Sequence, residues 1–166
     1  MLRVFGQSES PLPGERPVVT IGMFDGVHVG HQAVLGRTKT LARERGAPCL
    51  AITFDVHPRR RLEPEQTPAM ITSLEHRLVL LEASGLTAVW ILSFDEALAR
   101  MKAADFIRAV LVERLGAQAV VLGEDAHFGH DREGDIALLE QMSEGAGFDV
   151  VSVPPLVVDG RVVSST

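Results

Sequence analysis

Five short apolar runs rich in β-branched residues recur along this chain with amphipathic segments between them, and that alternation limits the fold more than any other feature. The runs span residues 17–22, 49–54, 87–92, 118–122 and 148–153, and each reads as a buried strand. Between the first two, residues 30–45 turn helical, with Val34, Leu35, Leu41 and Ala42 on one side, Arg37, Lys39, Arg43 and Glu44 elsewhere, and Gly46 as the stop. Residues 73–84 form a second helical segment, with Ser73 at the N-cap and Gly85 as terminator. A third, near 104–115, sets Phe106, Ile107, Val110, Leu111 and Leu115 at helical spacing before Gly116, and a fourth lies near 135–145. Parallel strands need crossover connections, so the rhythm predicts an α/β fold: a mostly parallel five-stranded sheet with helices on both faces.

At 166 residues, 46% of them hydrophobic, the chain can bury one sizeable core but not two comfortable ones. No repeat, low-complexity tract or linker interrupts it, so a single domain over 1–166 is expected. A net charge of −6 and a pI near 5.5 argue against gripping nucleic acid through a broad basic surface and favour a small-molecule partner. The one cysteine, Cys49, lies in an apolar run, which excludes an internal disulfide framework and suits a reducing cytoplasm. The first residues lack a basic segment leading into an apolar stretch, and no window approaches the roughly 18 apolar residues of a membrane span. A soluble, cytoplasmic protein with no membrane partner is the expectation.

In open α/β sheets ligands sit at the carboxyl ends of strands, so the loops that follow strands hold the candidate chemistry. The first runs Gly22-Met23-Phe24-Asp25-Gly26-Val27-His28-Val29-Gly30-His31 into a helix start. Glycines let backbone approach phosphate oxygens, free amides at a helix N-terminus attract anions, and His28 and His31 could both aim donors at a triphosphate. A second loop carries Phe54, Asp55, Val56, His57 and Pro58, then Arg59 to Arg61. A third carries Gly123, Glu124, Asp125, Ala126, His127, Phe128 and Gly129, then Arg132, Gly134 and Asp135. A blander account makes the glycines turn formers and the histidines surface or packing residues. A metal account takes Asp25, His28 and His31 as ligands, but no cysteine or second histidine pair completes a zinc spacing.

The 22–31 string resembles the HxGH signature loop of the nucleotidyltransferase superfamily, in the form used by bacterial FAD synthetases. The similarity continues through residues 53–58, Ile71-Thr72-Ser73, Ala104-Asp105-Phe106-Ile107, residues 123–129 and the terminal Val163-Ser164-Ser165-Thr166. It implies a Rossmann-like, doubly wound domain that joins ATP and FMN, with Mg²⁺, to give FAD and pyrophosphate by direct attack of the FMN phosphate on the α-phosphorus of ATP. On the matching positions, His28 and His31 would neutralise phosphate charge, with Ser164 and Thr166 donating hydroxyls from the other side. Gly22, Met23, Phe24, Asp25, Gly26, Gly30, Gly123, Arg161 and Val163 would form the ATP pocket. Phe54, Asp55, His57, Pro58 and Phe128 would lie on the flavin side, and Asp125 near the phosphates and the metal.

This chain departs from the family pattern at Val56, where a proline is usual, and at Ala126 and His127, where an aromatic precedes a basic residue. A smaller Ala126 loosens a flavin wall, and His127 reduces fixed positive charge at neutral pH. The family's Ser-Ser-Thr motif normally continues into an arginine-bearing segment and a riboflavin kinase domain, whereas this sequence stops at Thr166, so kinase activity is not expected of it. Competing accounts are an HxGH transferase for nicotinamide mononucleotide, phosphopantetheine or a polyol phosphate, and a nucleotide- or flavin-binding module without turnover. The loops at 53–58 and 123–129 favour flavin, and the presence of both histidines favours turnover.

Overall fold

The short apolar runs that lie between amphipathic segments are extended and paired into a sheet in the computed structural model, which describes residues 1–6, 10–27, 29–55, 73–155, 157–158 and 160–162. Six strands, β1 (Leu2–Phe5), β2 (Val18–Ile21), β3 (Cys49–Phe54), β4 (Ala88–Leu92), β5 (Ala119–Gly123) and β6 (Asp149–Val153), form one sheet in the order β1-β4-β3-β2-β5-β6. Every pairing in it is parallel. The five expected strands are all present. The sixth, β1, lies at the edge beside β4 and escapes a pattern search because it is four residues long, contains Arg3 and leaves Leu2 and Phe5 48% and 63% exposed. A two-stranded antiparallel hairpin, β7 (Val157–Val158) and β8 (Arg161–Val162), follows β6.

Side chains alternate across each strand, so the sheet has two apolar faces. Val19, Ile21, Leu50, Ile52, Trp90 and Leu122 belong to one core, and Val18, Ala51, Val89, Ile91, Ala119 and Val121 to the other. Helix α1 (Val29–Glu44) brings Leu35, Leu41 and Ala42 to the second face, and α2 (Leu74–Ala83) brings Leu78 and Leu81 there. The first face is covered by α3 (Glu96–Arg100) through Leu98, by α4 (Ala103–Phe106) and the π-type helix Ile107–Arg114 through Phe106, Ile107, Val110 and Leu111, and by α5 (Ile136–Ala146) through Leu139. Each large aliphatic or aromatic side chain buried in this way stabilises the fold by about 1.5–3 kcal/mol before entropy is counted.

Local signals set the helix ends. Ser73 Oγ accepts from the His76 amide at 3.1 Å at the start of α2, and Gly85, at φ +84°, follows its end. Asp95 and Asp135 cap α3 and α5 in the same manner, through the amides of Leu98 and Leu138 at 2.8 and 2.9 Å. The segment expected as one helix near 104–115 widens after Phe106, and the Leu115 amide reaches back five residues to the Val110 carbonyl at 3.1 Å. No helix among the described residues is long and apolar enough to cross a membrane.

Candidate active site

The strand order fixes where a ligand can enter. From β2 the chain passes outward through β3 to β4, then returns to place β5 against the other side of β2, so connections leave these two strands in opposite directions. A crevice opens at such a switch point, beyond the carboxyl ends of the strands. The loops that leave β2 and β5, starting at Gly22 and Glu124, flank it, and the loop from β3 lies on the next strand over.

The β2 loop is wound tightly. Phe24 and Val27 adopt φ of 55° and 43°, and Gly26 lies between them at φ 70°. Only glycine takes such angles freely, so a phenylalanine and a β-branched valine there are held by their surroundings at a cost of about 1–3 kcal/mol each. The surroundings are visible: Phe24 is 2% exposed and Val27 6%. The Phe24 ring lies over Gly22, where an added Cβ would meet it at 3.1 Å, and meets the His31 imidazole edge-on at 5.4 Å between centroids. Phe24 therefore packs against both Gly22 and His31. The turn Asp25–Val27 then feeds α1, whose first turn contains Gly30 and His31, and Gln32 Nε2 donates back to the Val27 carbonyl at 3.2 Å. The amides at the start of a sixteen-residue helix, beside a histidine, suit a phosphate.

The backbone of Met23 is held from two sides. Its carbonyl accepts from Thr53 Oγ1 at 3.1 Å and from Arg77 Nη1 at 2.9 Å. The other arm of that guanidinium, Nη2, donates to the Phe54 carbonyl at 2.9 Å. Arg77 is 1% exposed. Burial lowers its affinity for a proton, while the carboxylates of Asp25 and Asp55 act in the opposite sense. Arg77 is not among the site residues expected from the sequence, yet its signal is there: Leu74, Arg77, Leu78 and Leu81 fall at i, i+3, i+4 and i+7, a charge set inside an apolar stripe.

After β3, the Phe54 ring is buried in the core of the first face and meets Phe94 edge-on at 5.8 Å. One Asp55 carboxylate oxygen accepts from the Phe94 amide at 3.0 Å. After β5, Asp125 and His127 are exposed, Gly123 half-buried. Phe128 packs on Phe106 at 5.9 Å, and its backbone pairs with Gly134 in both directions, at 3.0 and 2.8 Å. Both phenylalanines thus pack against the core of the first face.

The structure therefore brings Gly22, Met23, Phe24, Asp25, Gly26, Gly30 and His31 together at one end of the sheet, with Gly123 at the end of the adjacent strand β5 and Asp125 in the loop that follows it. Phe54 and Asp55 are joined to them through Arg77. Arg161 is in β8 of the hairpin. His28, His57, Pro58, Val163, Ser164 and Thr166 lie outside the described residues, as does Val56. Among the described residues no three His, Cys, Asp or Glu side chains cluster to hold a metal ion by themselves. Magnesium is commonly held by one or two carboxylates plus substrate phosphates, and the exposed carboxylate of Asp125 at the end of β5 suits that role.

Residues 12–166 match the family model described as FAD synthetase. The chain is 40% identical, over 149 residues, to a bifunctional riboflavin kinase/FMN adenylyltransferase of Pseudomonas fluorescens, covering 90% of this chain and 48% of that protein. It is 36% identical over 157 residues to the protein of the same description from Escherichia coli strain K12, covering 95% and 50%. The chain spans about half the length of these curated relatives. A solved structure described as a macrolide-efflux protein from Streptococcus pneumoniae superposes with a TM-score of 0.81, covering 99% of this chain and 55% of that one at 24% identity, which is a likeness of fold.

Proposed function

Because this chain belongs to the FAD synthetase family, we propose that it transfers the adenylyl group of ATP to FMN, giving FAD and pyrophosphate, as a single domain working in the cytoplasm. The observation that carries this reading is the strained Gly22–Gly26 turn that delivers Gly30 and His31 to the start of α1 at the switch point of the sheet.

An oxygen of the FMN phosphate forms a bond to the α-phosphorus of ATP as the bond from that phosphorus to the bridging oxygen of the β-phosphate breaks, and pyrophosphate leaves. The reaction asks the protein for in-line placement and for neutralisation of charge on the α-phosphoryl group and the departing pyrophosphate. The α1 amides, His31 and His28 are proposed to supply donors on one side. Ser164, Thr166, Val163 and Arg161 are proposed to close the phosphate site from the other side, and Gly123 leaves room for the nucleotide. Asp125 would hold a magnesium ion, which supplies charge neutralisation at the phosphates when bound. Asp55, His57 and Pro58 are proposed to face the flavin, with Phe54 and Phe128 shaping its wall from within the core.

The test is to incubate the purified chain with ATP, Mg²⁺ and FMN, in parallel with riboflavin and other phosphate acceptors, and to separate the products. FAD formed from FMN is the expected result; a different adenylylated product, or none, overturns the proposal. The double variant His28→Ala/His31→Ala should lose at least about 100-fold in rate while keeping its far-UV circular dichroism and much of its ATP binding. Wild-type turnover by that variant would refute the mechanism.

A further inference from the structure

We infer that Arg77 is a positioning residue for adenylyl transfer, a single guanidinium that fixes the loop leaving β2 relative to the loop leaving β3 and so sets the two substrates against each other. The inference rests on the function proposed above, in which the first loop holds ATP and the second faces FMN.

A guanidinium is a rigid planar fork, and here its two terminal nitrogens are divided between the loop that leaves β2 and the last residue of β3, from which the second loop starts: Nη1 on the Met23 carbonyl and Nη2 on the Phe54 carbonyl, each at 2.9 Å. Thr53 Oγ1, one residue before Phe54, reaches the same Met23 carbonyl at 3.1 Å, so the two strand ends are cross-tied twice. The packing of α2 does not call for a cation. Arg77 shares its stripe with Leu78 and Leu81, which bury themselves in the second core without polar help. Placing a charge at 1% exposure is expensive unless polar groups answer it. The groups that answer it come from the β2 loop and from the end of β3, as carbonyls of Met23 and Phe54 and as the electrostatic influence of Asp25 and Asp55. The charge thus serves the loops and not the helix.

The consequence is kinetic. In-line attack needs the reacting atoms about 3–3.5 Å apart, and a displacement near 1 Å costs on the order of 100-fold in rate. Each loop keeps its own ligand groups without Arg77, so loss of the tie should alter the relative placement of ATP and FMN more than the affinity for either.

The experiment compares the 166-residue chain with Arg77→Lys and Arg77→Met. Lysine keeps the charge but cannot span two carbonyls as a fork does, and methionine keeps the volume alone. Calorimetry gives Kd for Mg-ATP and for FMN separately, rapid quench gives the single-turnover rate of FAD formation at saturation, and thermal melting gives Tm. The expected result is that Arg77→Lys stays folded, binds each substrate within about threefold of wild type and forms FAD about 100-fold more slowly. A wild-type rate constant in folded Arg77→Lys overturns the inference, as does a rate loss fully explained by weaker binding of one substrate. Should Arg77→Met not fold, Arg77→Lys still decides. A wild-type chain that forms no FAD overturns the proposed function and this inference with it, and the two failures are told apart by which protein fails.

Discussion

Cys49 begins β3 on the second face of the sheet, 5% exposed, and burial pushes its thiol up from the ordinary 9.0 to about 12, against a small opposing influence of Lys39. Two outcomes follow. At pH 8 the native chain should leave a thiol reagent unreacted over the time in which the urea-unfolded chain consumes one equivalent, because the thiolate is the reactive form and the folded chain holds almost none. Between about pH 9 and 12 the unfolded chain releases a proton that the folded chain keeps, so this group lowers stability as pH rises through that window. Urea midpoints across the range, compared with Cys49→Ala, check the sign. What could be read at this scale from sequence depended on whether residue type alone decides the role. The glycine-histidine string is specific in itself, but Phe54 and Phe128 are equally suited to a ligand wall or a core, and only their partners Phe94 and Phe106 show that their rings pack inward. Arg77 required seeing a charge inside a leucine stripe as informative, which periodicity alone discounts as noise.

Among the elements, the loop between β5 and α5 is fastened at both ends. Gly134 pairs with Phe128 and leaves no room for a side chain: an added Cβ would lie 2.6 Å from the Phe128 ring and 2.7 Å from its carbonyl oxygen. Gly134→Ala must therefore push the ring or break the pairing, and a loss of about 1–3 kcal/mol in urea unfolding is expected. Asp135, the next residue, caps α5, and Asp135→Ala should cost about 0.5–2 kcal/mol in the same assay. The four long helical segments were legible from their apolar spacing, with Ser73 as a cap and the glycines at 46, 85 and 116 as stops adding to it. Helix α3 was not, since five residues are too few for a period to emerge, nor was the π-type stretch at Ile107–Arg114, whose apolar positions also satisfy an ordinary helix.

For the molecule as a whole, Trp90 reports on both the sheet and its edge. It is fully buried in β4, and its indole Nε1 donates to the Gly6 carbonyl at 2.6 Å, tying down the end of β1. If residues 1–166 act as one domain, as we propose, the red shift of Trp90 emission and the loss of far-UV circular dichroism in urea should share one midpoint; separate midpoints would divide the chain into independent units. The parallel architecture was readable because strands buried on both faces leave a strong apolar signature. Strand order was not, since the pairing of β2 with β5 depends on which way each crossover turns.

That pairing bears on how the chain is made. Val18 waits for Ala119, about 100 residues further along, before β2 gains its second neighbour. At a synthesis rate of ~5–20 residues per second, one side of the central strand stays open for roughly 5–20 s while β3 and β4 are already available. Partners so far apart in the chain also make for slow closure after release. The nascent chain thus presents a bare apolar ribbon through much of its emergence from the ribosome, and its yield should depend on chaperones and growth temperature more than the stability of the finished fold would suggest.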